Sequence, residues 1–348
     1  MNGFWDFLIR PALEAAEARV VVEVGSEGGR HTRRLLDWCS TRRARLHVVE
    51  PEPQYDVAEL EACHGQRLVF HSAPSLEVLD RLGRVDAVLI DGDHNWFTVY
   101  HELKMLEATQ RSHFPLVVLH DVAWPFARRD MYYDPARIPA PYRHPYAQGG
   151  LRRGAGAFIE GDGLAPELYK AIQEGGPRNG VLTAVEDFLQ ESELALRFEL
   201  VSVDFGLGLI AGELLQENRP ALRSLLDSLH SAEFGGRLVA YAEERRIEDL
   251  IGLQGENRQT RAELVRVTAE LGLHQAELAR HEVEVKRLRN ELAALQQELH
   301  AERQAGESLR HDHSVARDAL AQILDSRSWR LTAPLRRAGN VVRSWERT

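Results

Sequence analysis

The sequence predicts an α/β fold, a doubly wound and mostly parallel sheet, followed by a long C-terminal α-helical coiled coil. Two patterns indicate this architecture. Between residues 20 and 121, short apolar runs of strand length alternate with segments of helical spacing. Such alternation is typical of βαβ units with helices on both faces of a parallel sheet. From residue 264 onward, apolar residues recur every seven positions, which is typical of a coiled coil.

The elements of the predicted sheet follow one another at short intervals. The strands are predicted at residues 20–24, 46–50, 68–71, 85–91 and 116–121. The helices are predicted at residues 4–18 (with a break at Pro11), 32–39, 55–62, 75–82, 96–108 and 180–190. Two further strands, 198–203 and 207–211, are predicted to form a hairpin that completes the sheet.

Residues 122–180 interrupt this alternation with many prolines, glycines and aromatic residues. A connection of this length inside a domain is typical of a lid or a binding loop. A disordered insertion is the alternative, but the aromatic content argues against it. Among the lid side chains, Tyr132, Tyr133, Arg143 and His144 are candidates for contact with a sugar or a carboxylate.

The seven-residue repeat places two sets of residues on one side of a helix. Thirteen of these eighteen positions between Leu264 and Ile323 are apolar, whereas His274, His281 and Glu302 are polar exceptions. The simplest partner is a second copy of the chain, and the number of strands stays open. The predicted divisions are residues 1–214 for the sheet domain, 215–256 for a helical connector with a break at Gly235–Gly236, 257–325 for the coiled coil and 326–348 for a basic amphipathic tail.

Composition excludes several classes of protein. The chain has 348 residues and a formal net charge of −10, which argues against a general nucleic-acid binder. Its two cysteines, Cys39 and Cys63, have no zinc-site spacing and fit a reducing cytoplasm. We expect no signal peptide and no membrane span, because no basic segment precedes a long apolar run and no apolar stretch approaches 18 residues.

The first predicted strand ends in a glycine-rich turn. Gly25 and Gly29 allow a sharp bend and close approach of a ligand, and the helix that follows points free N–H groups toward it. Glu50, at the end of the second strand, is placed to hold a ribose diol. A nicotinamide dinucleotide is disfavoured, because GSEGGR lacks the GxGxxG spacing that a pyrophosphate needs.

A second group of polar residues follows the fourth and fifth strands. It comprises Asp91, Asp93, His94, His120 and Asp121. Asp91, His120 and Asp121 would suit Mg²⁺, which could activate a substrate hydroxyl. Without a metal, His94 or His120 could act as the general base, with Asp121 beside it. The alternative is structural: Asp91 touching only a cofactor, Asp93 capping the next helix and His94 packing under the loop.

Four motifs together resemble class I S-adenosylmethionine-dependent methyltransferases, which have a Rossmann-like fold. They are Glu23-x-Gly25-x-x-x-Gly29, VVEPEP with Glu50, VDAVLIDGDH and VVLHD, within a region that covers residues 15–213. IDGDH and LHD are most similar to the bacterial small-molecule and sugar O-methyltransferase group.

The resemblance implies a set of cofactor contacts. Glu23, Gly25, Ser26 and Gly29 would line the methionine moiety, Glu50 would hold the ribose, and Asp91 would also contact the cofactor. Relatives commonly place an Asp near Ala73 or Pro74 to meet the adenine amine, and Ser75 is a substitute here. Metal-dependent relatives carry carboxylates that match Asp91 and Asp121, whereas His120 stands where they often have an acid or an amide.

The tail, SRSWRLTAPLRRAG and onward, is similar to a short terminal segment of bacterial glycosyltransferases and methyltransferases from surface-polysaccharide clusters. Six arginines interleaved with tryptophans between residues 327 and 348 suit a membrane interface, and a protein-docking or solvated tail is the alternative. The expected function is a cytoplasmic O-methyltransferase for a sugar or surface-glycan hydroxyl, oligomerised near the inner face of the membrane. The alternatives are a methyltransferase for a small natural product and a non-catalytic cofactor-binding scaffold for polysaccharide enzymes.

Overall fold

A seven-stranded sheet organises the first part of the chain, in a computed structural model that describes residues 1–336. Its order is β3-β2-β1-β4-β5-β10-β9, and a smaller sheet has the order β6-β8-β7. The strands are β1 (Val20–Val24), β2 (Arg45–Val49), β3 (Leu68–His71), β4 (Ala87–Ile90), β5 (Leu116–His120), β6 (Met131–Tyr132), β7 (Tyr146–Gln148), β8 (Tyr169–Ala171), β9 (Leu196–Val201) and β10 (Leu207–Gly212). The first five are parallel, and β10 pairs antiparallel with both β5 and β9. The predicted mostly parallel sheet is therefore confirmed.

The helices lie between these strands or after them. They are α1 (Arg10–Ala15), α2 (Arg30–Arg42), α3 (Val57–His64), α4 (Trp96–Thr109), α5 (Val181–Glu191), α6 (Glu213–Asn218), α7 (Pro220–Ser228), α8 (Ala232–Asp325) and α9 (Arg327–Leu331). Two apolar cores, one on each face of the sheet, explain why β1, β4 and β5 are almost continuously apolar. The first core holds residues of α1, α2 and α7, and the second holds residues of α4 and α5.

The parallel strands end at one edge of the sheet, where both predicted polar groups lie. β1 and β4 pair in register from Val21–Ala87 to Val24–Ile90, and β4 pairs with β5 as far as Ile90–Leu119. The glycine turn after Val24, Asp91 after β4 and Asp121 after β5 are consequently neighbours.

Residues 122–180 are folded rather than an irregular insertion. The small sheet of β6, β7 and β8 forms their framework, and Phe126, Met131 and Leu151 are the buried residues of a separate small core. This segment is called the lid below.

Three local predictions are wrong. Residues 75–82 form two short 3-10 turns, Ser75–Glu77 and Leu79–Arg81, rather than a helix. Pro11 does not break the first helical segment, because the chain passes directly from a π-helical turn (Trp5–Ile9) into α1 and Pro11 lies in the first turn of α1. Gly235–Gly236 lie inside α8, and the chain instead interrupts its helices between Ser228 and Ala232.

The chain divides into two compact units, Met1–Ile251 and Gly252–Thr348. α8 is a single helix of 94 residues. The coiled coil, like the boundaries at residues 214, 256 and 325, stays a prediction. None of the helices in residues 1–336 has the length and apolar character that crossing a membrane requires. In the predicted tail, α9 lies within the described residues and residues 337–348 lie outside them.

Candidate active site

The turn after β1 is packed directly against the end of β4. Gly25 has a φ of +84°, and a Cβ there would lie 2.3 Å from the carbonyl oxygen of Asp91. Gly29, with a φ of +71°, immediately precedes α2, and a Cβ there would lie 2.8 Å from the ring of Tyr55. Both positions therefore require glycine, for conformation and for space.

Glu50 lies over this turn and fixes its backbone. Its Oε2 accepts hydrogen bonds from the backbone N–H groups of Ser26 (2.9 Å) and Glu27 (3.1 Å). Its Oε1 accepts one from the N–H of Glu52 (3.0 Å). The Ser26 hydroxyl also approaches Oε2, at 3.5 Å, whereas Oε1 has a single partner and therefore retains capacity for a ribose hydroxyl. The residues present thus fit the ribose end of a nucleoside.

Glu23 is buried and already has partners within the chain. Its Oε1 lies 2.8 Å from Nδ1 of His31, and its Oε2 accepts a hydrogen bond from the Thr32 hydroxyl (2.7 Å). The carboxylate thereby ties the end of β1 to the first turn of α2. Its contact with the methionine moiety stays a prediction, as does the contact of the buried Ser75 with adenine.

Beside the turn, two acids and two histidines meet at the ends of β4 and β5. His120 Nδ1 lies 3.1 Å from Asp91 Oδ1 and 2.9 Å from Asp121 Oδ2. His94 Nδ1 lies 3.4 Å from Asp121 Oδ2, and His94 Nε2 lies 3.7 Å from Asp91 Oδ1. The structure therefore brings together all four of these sequence-predicted residues. The Met1 ammonium also reaches Asp91 Oδ2, at 3.1 Å.

The four side chains shift one another's protonation. Burial alone would raise the pKa of Asp91, but His120, the Met1 ammonium and His94 hold that pKa well below its usual range. Burial alone would lower the pKa of His120, but the carboxylates of Asp91 and Asp121 raise it to about 10. At neutral pH these groups make His120 a cation between two anions. It cannot accept a proton in that form, which argues against His120 as the general base.

His94 differs from His120 in that its ring nitrogens lie near Asp91 and Asp121 without being hydrogen-bonded to them. Both of its ring nitrogens are buried and have no hydrogen-bond partner among residues 1–336. Asp91, His94 and Asp121 each offer an atom that lies within 4.8 Å of the others, a spacing able to hold a metal ion. This donor set fits a divalent cation, although Mg²⁺ prefers oxygen ligands and a mixed nitrogen–oxygen set also suits Mn²⁺ or other transition metals.

Asp93 is not the helix cap that the sequence suggested as the structural alternative. The N-cap of α4 is Asn95, whose Oδ1 accepts from the Thr98 N–H at 2.9 Å. Asp93 instead accepts a hydrogen bond from the Thr98 hydroxyl (3.0 Å).

Aromatic rings surround the two histidines. Phe126 and Tyr133 lie 5.6 and 6.2 Å from the ring of His94, measured between centroids. Phe4 and Phe205 lie 6.2 and 6.3 Å from the ring of His120. Tyr133 is 59% exposed, whereas Phe4 is fully buried. The lid thus presents one accessible aromatic ring beside the reactive cluster.

Sequence reasoning missed the residue that anchors the lid. Asp130 is fully buried and accepts hydrogen bonds from the N–H groups of Trp96 and Gly180, both at 2.7 Å. It also accepts one from the Tyr132 hydroxyl (2.9 Å). These bonds join the lid to the start of α4 and to the residue before α5. In the sequence, Asp130 is an acid between an arginine and a methionine in RRDMYY, and this pattern does not reveal its partners.

Three of the four lid residues predicted to contact a substrate are instead bonded to other residues of the lid. Tyr132 is buried, and its hydroxyl also accepts from the His144 N–H (3.1 Å). The His144 ring contacts the carbonyl of Arg178 (2.8 Å). Arg143 donates to the carbonyl of Pro135 (2.8 Å). Tyr133 is therefore the lid candidate that faces the reactive cluster.

One family model matches part of the sheet domain. Residues 22–122 match the family model described as a methyltransferase domain. The match contains the glycine turn, Glu50 and the Asp91–Asp121 cluster. No curated protein sequence matches the chain.

Solved structures are similar to about three fifths of the chain. The SAH-bound methyltransferase PaMTH1 of Podospora anserina is 18% identical, with a TM-score of 0.38, over 61% of this chain and 78% of its own. The Burkholderia thailandensis 1,6-didemethyltoxoflavin-N1-methyltransferase is 17% identical, with a TM-score of 0.33, over 61% and 82%. Human N-acetylserotonin methyltransferase is 12% identical, with a TM-score of 0.32, over 60% and 52%.

The family match and the observed sheet agree with the four sequence motifs. The prediction of a methyltransferase that uses S-adenosylmethionine is confirmed at the level of this domain.

Proposed function

We propose that the protein transfers the methyl group of S-adenosylmethionine to a hydroxyl of a sugar or glycan. The observation that carries this proposal is the Asp91–His94–His120–Asp121 cluster beside the glycine turn. A cofactor held by Gly25, Ser26 and Glu50 would present its methyl group near these side chains. An O-acceptor needs a group that removes its proton, and this cluster supplies one.

In the proposed reaction, His94 accepts the proton of the acceptor hydroxyl. As the acceptor oxygen forms a bond to the methyl carbon, the sulfur–carbon bond breaks and S-adenosylhomocysteine leaves. The hydroxyl proton passes to a free ring nitrogen of His94, and Asp121, 3.4 Å from that ring, stabilises the imidazolium that forms. A divalent cation held by Asp91, His94 and Asp121 is the second arrangement, and it would instead lower the pKa of a bound hydroxyl.

The lid supports a ring-shaped acceptor. Tyr133 is exposed beside His94 and can stack on the face of a sugar. The same geometry would accept a small natural product with a ring, which is the second candidate acceptor. We further propose that the repeat in α8 joins copies of the chain and that the basic tail holds the cytoplasmic protein at an anionic membrane.

Asp121→Asn tests the catalytic cluster. Asp121 has a φ of +59°, which asparagine tolerates better than alanine does, so the backbone should be preserved. We expect turnover to fall at least 100-fold, because the imidazolium loses its carboxylate, while the Kd for S-adenosylmethionine changes less than threefold. Calorimetry gives the Kd, and S-adenosylhomocysteine release on a panel of sugar nucleotides and small ring alcohols gives turnover.

Controls separate the alternatives. Asp93→Asn, which alters a neighbouring acid bonded to Thr98, should retain most of the turnover. EDTA followed by Mg²⁺ or Mn²⁺ distinguishes the cation arrangement from direct proton transfer to His94. Absence of S-adenosylmethionine binding by the unmodified protein would defeat the enzyme proposal, and binding without turnover on every acceptor would favour the scaffold alternative.

A further inference from the structure

The outer part of α8 presents an apolar stripe to the solvent. Leu264, Leu278 and Leu295 are 65%, 64% and 62% exposed, and the other apolar members of the two heptad sets between residues 264 and 323 are mostly about half exposed. Burial of an apolar stripe of this length would stabilise the helix, so we expect another surface to cover it. The charges beside the stripe indicate what covers it.

Two rows of side chains flank the stripe. The residue before each member of the Leu264 set forms the acidic row, which comprises Glu263, Glu270, Glu277, Glu284, Glu291, Glu298, Ala305, Asp312 and Ala319. The residue after each member of the Val267 set forms the basic row, which comprises Thr268, Gln275, Glu282, Arg289, Gln296, Arg303, Arg310, Arg317 and Leu324. The acidic row holds no basic residue, and the basic row holds a single acid.

In a parallel, in-register pair of helices, each acidic-row residue faces the basic-row residue five positions later in the partner. The facing pairs Glu284–Arg289, Glu298–Arg303 and Asp312–Arg317 are then opposite in charge, and each occurs twice by symmetry. Only Glu277–Glu282 joins like charges. In an antiparallel pair each row faces its own kind. The acidic row, which holds no basic residue, then meets only itself, so acids such as Glu291 and Glu298 face each other and the pairing is disfavoured.

The charges needed for the parallel arrangement are free to form it. Among the described residues, Glu298, Arg289, Arg303 and Arg317 take part in no ion pair within the chain. Glu284 pairs with Arg287 of its own helix at 3.1 Å, and both side chains are at least half exposed. Single exposed pairs contribute only about 0.2–1 kcal/mol. The three opposite-charge pairs occur twice by symmetry, so together they add to the stability of the dimer and also favour its parallel orientation.

We propose that α8 pairs with α8 of a second copy of this chain, parallel and in register, through the stripe between residues 264 and 323. This inference rests on the proposed self-association and adds its orientation and register.

Cysteine cross-linking tests the orientation. Cys63 is exposed, so Cys63→Ser provides the background; Cys39 is buried, and burial raises its pKa to about 12, so it stays inert. In this background, Leu271→Cys should form a disulfide-linked dimer on mild oxidation, because the two residues face each other in a parallel pair. The matched control Ala276→Cys lies one turn away on the outer face and should link at least tenfold less. In an antiparallel pair centred on the repeat, the two copies of residue 271 would lie roughly 70 Å apart.

Light scattering on the full chain separates the possible failures. A mass near twice 39.4 kDa supports self-association, and a mass of one chain overturns it, whatever the result with S-adenosylmethionine. A dimer in which Leu271→Cys does not link to itself, but does link to Ala316→Cys in a mixture, overturns the parallel orientation.

Charge reversal tests the rows. The triple variant Arg289→Glu, Arg303→Glu and Arg317→Glu should weaken the dimer at least tenfold in Kd. Adding Glu284→Arg, Glu298→Arg and Asp312→Arg should restore it. An unchanged Kd in the triple variant would overturn the role of the rows.

Discussion

Glu102 shows how strongly one residue can couple this fold to pH. It lies on α4 with its side chain completely buried, and neither carboxyl oxygen has a hydrogen-bond partner among the described residues. Burial raises its pKa from an ordinary value of 4.5 to about 8, because it outweighs the opposing effect of the nearby Ser75 hydroxyl, and the charge of Asp93 adds to the rise. The folded protein therefore keeps Glu102 protonated at pH values where the unfolded chain has lost that proton.

This coupling predicts that stability falls as the pH rises from about 4.5 to about 8. The folded state binds one more proton than the unfolded state in that window, so each increase in pH favours unfolding. Glu102→Gln removes the titration and mimics the neutral acid. We expect the variant to be more stable than the unmodified protein at pH 8, by on the order of a few kcal/mol, and to show a flatter pH profile. Urea unfolding at several pH values measures this difference.

Glu107 on the same helix is the matched control. Lys104 and Ser192 contact its carboxylate at 2.6 Å, and its pKa is lowered because these bonds outweigh its burial. Glu107→Gln should therefore destabilise the protein at neutral pH, which is the opposite sign. An equal loss of stability in both variants would show that Glu102 is held as an anion.

At the scale of elements, the close contact between the turn after β1 and Asp91 after β4 decides whether the site can form. Gly25 brings the turn against the backbone of Asp91, so the cofactor turn and the reactive cluster share one wall. The lid reaches the same edge independently: the Met131 N–H donates to the His94 carbonyl (2.9 Å), and Asp130 binds the start of α4. Contacts from both the sheet and the lid therefore position the residues of the site.

Gly25→Ala should disrupt this contact between the turn and Asp91. The new Cβ would meet the Asp91 carbonyl at 2.3 Å and would impose a φ of +84° on a residue that resists it. We expect a destabilisation of at least about 2 kcal/mol and a loss of S-adenosylmethionine affinity. Urea unfolding followed by tryptophan fluorescence suits this measurement, because Trp5, Trp38, Trp96 and Trp124 lie in the first unit.

Gly28→Ala is the control for this prediction. Nothing lies within 4 Å of a Cβ at Gly28, and its φ is not in the left-handed region. We expect a change within about 0.5 kcal/mol. If the two alanine variants behaved alike, the contact between the turn and Asp91 would not be what makes glycine necessary.

Across the whole molecule, the features that could be predicted from the sequence are those that depend on residues close together in the chain. Apolar runs and the motifs at their ends are local, so the strands and the Asp91–Asp121 cluster could be anticipated. Partners distant in sequence could not: Asp130 binds residues 34 and 50 positions away. The same reason explains the missed continuity at Gly235–Gly236, where Phe234 and Tyr241 pack on Phe7 and stabilise α8 across the glycines.

Residues 75–82 show the converse error. Their spacing suits a helix, but burial of Ser75, Val78 and Leu79 in two 3-10 turns prevails over local propensity. Likewise, Tyr132 and Tyr133 are adjacent and chemically identical, yet the first supports Asp130 and the second faces His94. Only the fold of the lid distinguishes them.

The basic tail gives a prediction for the protein as a whole. Within its described part, Leu331 and Leu335 are 78% and 74% exposed, and Arg336 lies over the ring of Trp329. Apolar and basic side chains exposed together favour the surface of an anionic bilayer, where each arginine contributes about 1 kcal/mol. Deleting residues 326–348 removes six arginines and both tryptophans of the tail. We therefore expect the truncated protein to lose at least tenfold in affinity for vesicles that contain phosphatidylserine.

Vesicle composition and salt provide the controls for this deletion. Binding of the full chain to purely zwitterionic vesicles should be weak, and binding to the anionic vesicles should fall as salt screens the arginines. The deletion leaves the sheet domain and the heptad stripe intact, so its Kd for S-adenosylmethionine and its mass relative to one chain should not change. Equal vesicle binding by the full and truncated chains would assign the tail to a protein partner instead, because its exposed leucines would then contribute nothing at a lipid surface.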